Sequence, residues 1–244
     1  SLSQSRFLSF FGRLDYSILD KYFFDASVRN DACSRFGVNN RNATFWAVGG
    51  MWKIKGEDFL YAADAVNDLN FKVSYGTQGN ASIGNYQHLG LISGSAKYMD
   101  TSVKVLAQPA NPGLTWEQQG LFTVGLNGRF FDMLDVNVEF YNRITTDMLM
   151  DVPYNYTTGF SSLKANVGSL SNRGVDIMIG VDILRGRDYY LRASTTFNYN
   201  AEKVTKLFNG LDRWEIANTG LAYVVGKPVM FYAPIYAGID PADG

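Results

Sequence analysis

An all-β chain, part of a large antiparallel transmembrane β-barrel with about eight strands present, is what the sequence predicts, on three observations. The first is strict alternation between Gln119 and Asn200. Phe122, Val124, Leu126 and Phe130 oppose Thr123, Asn127 and Arg129; then Val136, Val138 and Phe140 oppose Asp135, Asn137, Glu139, Tyr141 and Arg143. Val175, Ile177, Ile179, Val181 and Ile183 oppose Asp176, Gly180 and Asp182, and Leu191, Ala193, Thr195 and Phe197 oppose Arg192, Ser194, Thr196 and Asn198. A period of two places successive side chains on opposite faces of a pleated strand. The second observation is length: each run has about ten residues, what a tilted strand needs to cross a bilayer. The third is the alternation of short and long connections, which puts nearly all short turns at one end of an antiparallel sheet and the long loops at the other.

The elements follow in order. Leu8, Phe10, Leu14 and Tyr16 alternate with Ser9, Arg13 and Asp15, and a Leu19-Asp20-Lys21 turn leads to Tyr22, Phe24, Ala26 and Val28 against Asp25, Ser27 and Arg29. A polar loop from Asn30 to Asn42 precedes a strand from Ala43 to Ile54 with Trp46, Val48 and Trp52. In the medium connection that follows, Asp64-Ala65-Val66-Asn67-Asp68 is expected to form a helical turn before Leu69, Phe71, Val73 and Tyr75 resume the alternation. Residues 76–117 read as a long excursion, marked by Gly79-Asn80, Gly84-Asn85 and Asn111-Pro112-Gly113, all turn formers. A second long loop spans 145–173.

Composition narrows the function. With 244 residues and 46% hydrophobic content the chain can bury a core, and no apolar run approaches the roughly 18 residues of a spanning helix. A net charge of -1 argues against a nucleic-acid binder. A single cysteine, Cys33, excludes an internal disulfide, and the single histidine, His88, has no histidine partner for a metal and reads as an exposed loop residue. No metal or cofactor is expected. Arg29, Lys72, Arg129, Glu139, Arg143, Asp176, Asp182 and Arg192 share one face, which a wide, wet lumen would hydrate. In a soluble β-sandwich the same face would be the solvent side. Trp46, Trp52, Tyr16, Tyr22, Tyr75 and Tyr189 read as interfacial anchors. Ser1-Leu2-Ser3-Gln4 carries neither a basic nor an apolar leader, and the chain reads as an internal piece of a larger protein.

Six segments then carry a resemblance. YFFDASVRNDACSRFGVNNRNATFWAVGGMW from Tyr22, LNFKVSYGTQGNASIGNY from Leu69, NPGLTWEQQGLFTVGL from Asn111, FYNRITTDMLMDVP from Phe140, TTGFSSLKANVGSLSNRGVDI from Thr157 and VGKPVMFYAPIYAGIDPADG from Val225 occur in this order. Together they resemble the barrel of the SusC/RagA family of TonB-dependent outer-membrane transporters. The resemblance implies a barrel of about 22 strands around an N-terminal plug. It also implies a SusD-like surface lipoprotein as external cap, the TonB complex as energy source and outer-membrane lipid around the wall. On this reading residues 1–244 are a partial barrel domain, with plug and C-terminal strands absent.

The function expected is import of a glycan or oligopeptide, with no bond broken and no catalytic residue. Tyr86, His88 and Tyr98 on the first long loop and Tyr154, Tyr156 and Phe160 on the second are candidates for touching substrate or the partner lipoprotein. A passive porin and a soluble carbohydrate-binding β-domain are the alternatives. For a glycosidase, Asp135 and Glu139 on one strand stand about 13 Å apart, the wrong separation for either stereochemical course.

Overall fold

The computed structural model describes residues 3–98, 101–153, 157, 159–160, 162–211, 213–216 and 221–231, without the side chains of 95–103, 153, 209 and 214–216. In chain order the elements are β1 (Phe7–Ile18), β2 (Tyr22–Cys33), β3 (Asn42–Lys53), the single helical turn α1 (Asp58–Tyr61), β4 (Val66–Asn80), β5 (Leu91–Tyr98), β6 (Thr101–Gln108), β7 (Glu117–Phe130) and β8 (Leu134–Thr146). There follow β9 (Leu149–Pro153), β10 (Ser162–Asn166), β11 (Ser169–Arg185), β12 (Tyr190–Lys206), β13 (Arg213–Ile216), β14 (Leu221–Val224) and β15 (Met230–Phe231). Eight strands form one antiparallel sheet in the order β1-β2-β3-β4-β7-β8-β11-β12. The other strands make small sheets of their own, β5 with β6 and β9 with β10 in the long connections and β13 to β15 after β12.

Register turns the alternation into two continuous faces. Tyr22, Trp52, Phe71, Leu126, Val138, Ile177 and Phe197 are directly opposed from β2 to β12, so one apolar row crosses the sheet. The row beside it, Met51, Lys72, Gly125, Glu139, Asp176 and Asn198, is mostly polar. All eight charges predicted to share a face do so.

The apolar window also slides across the sheet. In β2 it runs from Tyr22 to Val28, but in β12 it extends beyond Phe197, the row-mate of Tyr22, to Leu191. That six-residue slide, 197 minus 191, is about 20 Å of strand rise, gained over six inter-strand spacings or about 29 Å. The ratio corresponds to a strand tilt of about 35°, in the range of transmembrane barrels. A level apolar belt on tilted strands must cross hydrogen-bonded rows in this way, and Asn142 and Arg173 can therefore share a row with Tyr75 and Phe122.

At the turn end, β1–β2 and β7–β8 are joined by Leu19-Asp20-Lys21 and Phe131-Asp132-Met133. Both turns have the same build. The first two residues of each take positive φ, 54° and 53° at Leu19 and Asp20, 53° and 56° at Phe131 and Asp132. The N–H of Lys21 donates to Ile18 and that of Met133 to Phe130, at 3.1 Å each. This is the twist-matched hairpin turn, which favours Asn or Gly, and a left-handed bulky residue costs about 1–2 kcal/mol.

The medium connection does not fold as expected. Its helical turn lies at Asp58–Tyr61, not 64–68, because Val66 and Asp68 are drawn into the sheet opposite Phe130 and Arg129, with a bulge between them. The long connections are also more ordered than loops: β5 pairs with β6 and β9 with β10.

The core sits at the loop end. Cys33, Phe36, Phe45, Ile83, Leu114 and Trp116 form a buried cluster where the β2–β3 and β4–β7 connections fold against the wall. Trp116 is its hub, with ring centroids at 5.2 Å from Phe36, 5.8 Å from Phe45 and 6.0 Å from Phe7, and its indole N–H donates to the Arg41 carbonyl at 3.1 Å.

Candidate functional site

The charged face is the candidate functional surface, because polar side chains reach it from all eight strands. At mid-height a hollow of about 590 Å³ is bounded by Arg13, Asp15, Asp25, Lys72, Thr123 and Glu139. Small residues make it: Gly49 admits the Asp25 carboxylate so closely that a Cβ would meet Oδ1 at 2.4 Å. Arg13 and Asp15 pair at 2.6 Å, two residues apart on one face of β1.

Toward the turn end the charges close on themselves. Arg129 bonds Asp135 at 2.9 Å and Asp182 at 2.7 Å; Arg192 bonds the same two carboxylates at 2.8 and 3.0 Å. Tyr190 adds a hydroxyl donor to Asp182 at 2.6 Å. Four strands, β7, β8, β11 and β12, thus meet in one alternating ring of charge, which Gly180 makes room for: a Cβ there would stand 2.5 Å from the Arg192 guanidinium. Sequence reasoning placed these charges on one face but missed the ring. Its signal was the near-symmetric placement of Asp182 and Arg192 about the Gly186–Tyr189 turn.

On the other face, also at the turn end, Tyr22 and Trp52 stack with centroids 6.5 Å apart. The Tyr22 hydroxyl donates to Glu57 Oε1 at 2.6 Å and the Trp52 indole N–H at 3.0 Å, with Lys21 Nζ at 3.4 Å from Oε2. The Tyr22 bond first, then Trp52 and Lys21, hold the Glu57 carboxyl below its ordinary pKa. Trp46 and Tyr75, 5.4 Å apart, stand within β3 and β4 rather than at their ends.

At the loop end Arg29 covers the core, 5.9 Å over the Phe45 ring, with Nη2 at 2.9 Å from Oδ2 of the buried Asp31. Neither Asp31 oxygen gains a well-directed hydrogen bond, so this is a charge contact. The two long loops are tied together. The Asn166 side chain accepts from Thr115 N–H at 2.8 Å and donates to the carbonyls of Thr115 and Asp147 at 2.7 and 2.9 Å, while Asn111 donates to the Lys164 carbonyl at 2.8 Å. One side-chain amide therefore does the work of a strand bridge.

Of the predicted contact residues, Tyr86 and His88 come together beside a hollow of about 280 Å³ that Arg6, Arg35 and Arg41 also line. His88 is not the exposed loop residue expected. It is half-buried, its Nδ1 2.9 Å from the Arg35 carbonyl, because the first long loop folds onto the β2–β3 connection. Tyr86, at φ 65°, accepts the Gln4 N–H at 3.2 Å. Tyr98 ends β5 with its side chain outside the described residues, as are Tyr154 and Tyr156. Phe160 is half-buried.

The profile of the family described as TonB dependent receptor-like, beta-barrel, matches residues 2–237. The chain belongs to this family. The TonB-dependent receptor SusC of Bacteroides thetaiotaomicron is 31% identical over 219 residues, 86% of this chain and 22% of its own length. A TonB-dependent receptor of Formosa agariphila is 33% identical over 200 residues, 82% of this chain and 19% of its own. Among solved structures, the RagAB peptide transporter superposes with a TM-score of 0.89 at 43% identity, covering 97% of this chain and 26% of that one. The RagAB peptide importer in its open-open state gives 0.87 at 43% identity, covering 98% and 26%. The chain thus spans about a fifth to a quarter of the family members it matches, and the resemblance to SusC and RagA drawn from its sequence holds.

Proposed function

We propose that these eight strands are a section of the wall of an outer-membrane importer. TonB drives it, a SusD-like surface lipoprotein works with it, and it carries a nutrient too large for porins. Its cargo is an oligopeptide or a glycan, and the 43% identity to a transporter of peptides favours the oligopeptide. The observation that carries the reading is the separation of faces across the whole sheet: an apolar belt inclined as tilted strands require, and behind it a charged wall that only water or polar cargo suits. Tyr98, Tyr154, Tyr156 and Phe160 stand as proposed contacts to cargo or lipoprotein. Tyr86 and His88 are proposed to shape the loops, since their polar atoms already bond Gln4 and Arg35.

The test is uptake by cells carrying the full-length transporter and its lipoprotein, offered a fluorescent oligopeptide and an oligosaccharide of similar size. Peptide accumulation that stops when TonB is deleted supports the proposal. Accumulation independent of TonB would make the protein a passive pore, and uptake of the oligosaccharide alone would reassign the cargo.

A further inference from the structure

Three arginines converge on the hollow of about 280 Å³ at the loop end, Arg6 from the approach to β1 and Arg35 and Arg41 from the β2–β3 connection. Along the wall below them, Arg13, Arg29, Arg129 and Arg192 each meet a carboxylate at 3.0 Å or less. Among the described residues Arg6, Arg35 and Arg41 meet none, and no Asp or Glu lines the hollow. Like charges gathered around one small space repel one another, so the arrangement favours any anion that can sit among them.

The three are also held in place. The Arg6 N–H donates to Ser34 Oγ at 2.8 Å and the Ser34 N–H returns a bond to the Arg6 carbonyl at 3.0 Å. The Arg41 carbonyl accepts from the Cys33 N–H at 3.0 Å and the Trp116 indole at 3.1 Å. Arg35 Nε donates to Asn85 Oδ1 at 3.2 Å and its Nη1 to the Ala81 carbonyl at 3.3 Å, while Arg41 Nε donates to the Phe36 carbonyl at 3.4 Å. Most of the guanidinium N–H donors are left uncommitted by these bonds. Donors placed in advance lower the ordering cost of binding, and the guanidinium fork matches the two oxygens of a carboxylate.

The position of the hollow narrows what fills it. The connections that form it pack through Phe36, Ile83 and Leu114 against Cys33 and Phe45, which project from the charged face. It therefore belongs to the mouth of the lumen and not to the lipid side. We propose that it is a carboxylate site, formed by Arg6, Arg35 and Arg41, that takes the C-terminal end of a peptide cargo. The proposal rests on the oligopeptide reading above and adds a means of recognition to it. The terminal carboxylate is the one anionic group that every linear peptide carries whatever its sequence, so a site for it holds mixed peptides by a shared end.

The experiment measures binding to the full-length transporter together with its lipoprotein, in detergent. The probe is an oligopeptide of neutral residues with an uncharged dye on its blocked N-terminus, made as the free acid and as the C-terminal amide. Wild type should hold the acid about ten- to a hundredfold more tightly than the amide, the range for hydrogen bonds to a charged group. The double variant Arg6→Gln, Arg41→Gln changes two exposed side chains, one of them held by a single long bond. Its affinity for the acid should fall to that for the amide, which should stay as in wild type. Acid and amide bound alike by wild type would leave the peptide reading standing and overturn the site. A preference for the acid that survives in the double variant would put the carboxylate elsewhere and overturn it too. If the variant keeps the preference but no longer co-purifies with the lipoprotein, the arginines serve that partner and not the cargo. Binding of neither peptide to wild type would end the oligopeptide reading and the site with it.

Discussion

At the turn end of the sheet, Arg129, Asp135, Asp182 and Arg192 link four strands through side chains that leave the strands themselves; at the loop end, Phe36, Leu114 and Trp116 arrive from connections and bury one another. The difference follows from chain length. A three-residue turn has no side chains to spare for a core, so cohesion at that end must come from the wall, and on the luminal side the wall is polar. The β4–β7 connection, 36 residues from Ala81 to Trp116, can fold back and exclude water. The same strands thus end in a charged ring that neighbours can solvate and in an apolar cluster that holds the loops.

The largest expected effect is at the loop end. Trp116→Ala removes the ring shared by Phe7, Phe36 and Phe45 and leaves a void, at a cost of about 3–5 kcal/mol. Thermal unfolding of the full-length protein in detergent should show it, with faster proteolysis of the external loops; a midpoint unchanged from wild type would mean that the cluster holds nothing. Between the two ends, Val138→Arg should cost about 2–4 kcal/mol if that row lies at the bilayer midplane. Asn137→Arg, one residue along and on the luminal face, should assemble normally in membranes. Equal defects in both would erase the distinction between the faces.

How far the sequence was legible tracks how local the cause is. Which side of a strand Val138 or Glu139 faces is set by parity alone, so both faces were readable, and the turns at Leu19 and Phe131 showed as interruptions in that parity. The helical turn was misplaced because Val66 and Asp68 answer to β7, more than sixty residues away. His88 was misread for the same reason, since the Arg35 carbonyl that holds it lies 53 residues back. The β9–β10 hairpin was hidden in what looked like loop. Asn166, which ties two loops with one amide, is chemically indistinguishable in sequence from the turn asparagines around it.

At the turn end the sharpest variant is Asp182→Asn, which leaves two guanidiniums sharing Asp135. A smaller drop in melting temperature than for Trp116→Ala is expected, and the gap to wild type should narrow as salt rises, because Asp135 and the two guanidiniums are partly open to solvent, where ions screen charge pairs but not apolar contacts. A salt-independent loss would mean that the ring is sealed from solvent, and that the two ends are more alike than their chemistry suggests.

The smallest effect expected is on the outer side of the same end, at Glu57. The Tyr22 hydroxyl and Trp52 indole stabilise its anionic form, so its folded pKa lies below the ordinary 4.5. The unfolded chain therefore takes up the proton first as pH falls. The stability Glu57 contributes is complete above pH 4.5 and is lost as pH drops through the folded value. Glu57→Gln should be slightly less stable than wild type at neutral pH and should converge with it in acid. If the two melting curves instead stay parallel from neutral pH to pH 3, the carboxylate does not hold the aromatic pair, and the stacking of Tyr22 on Trp52 alone shapes this corner of the wall.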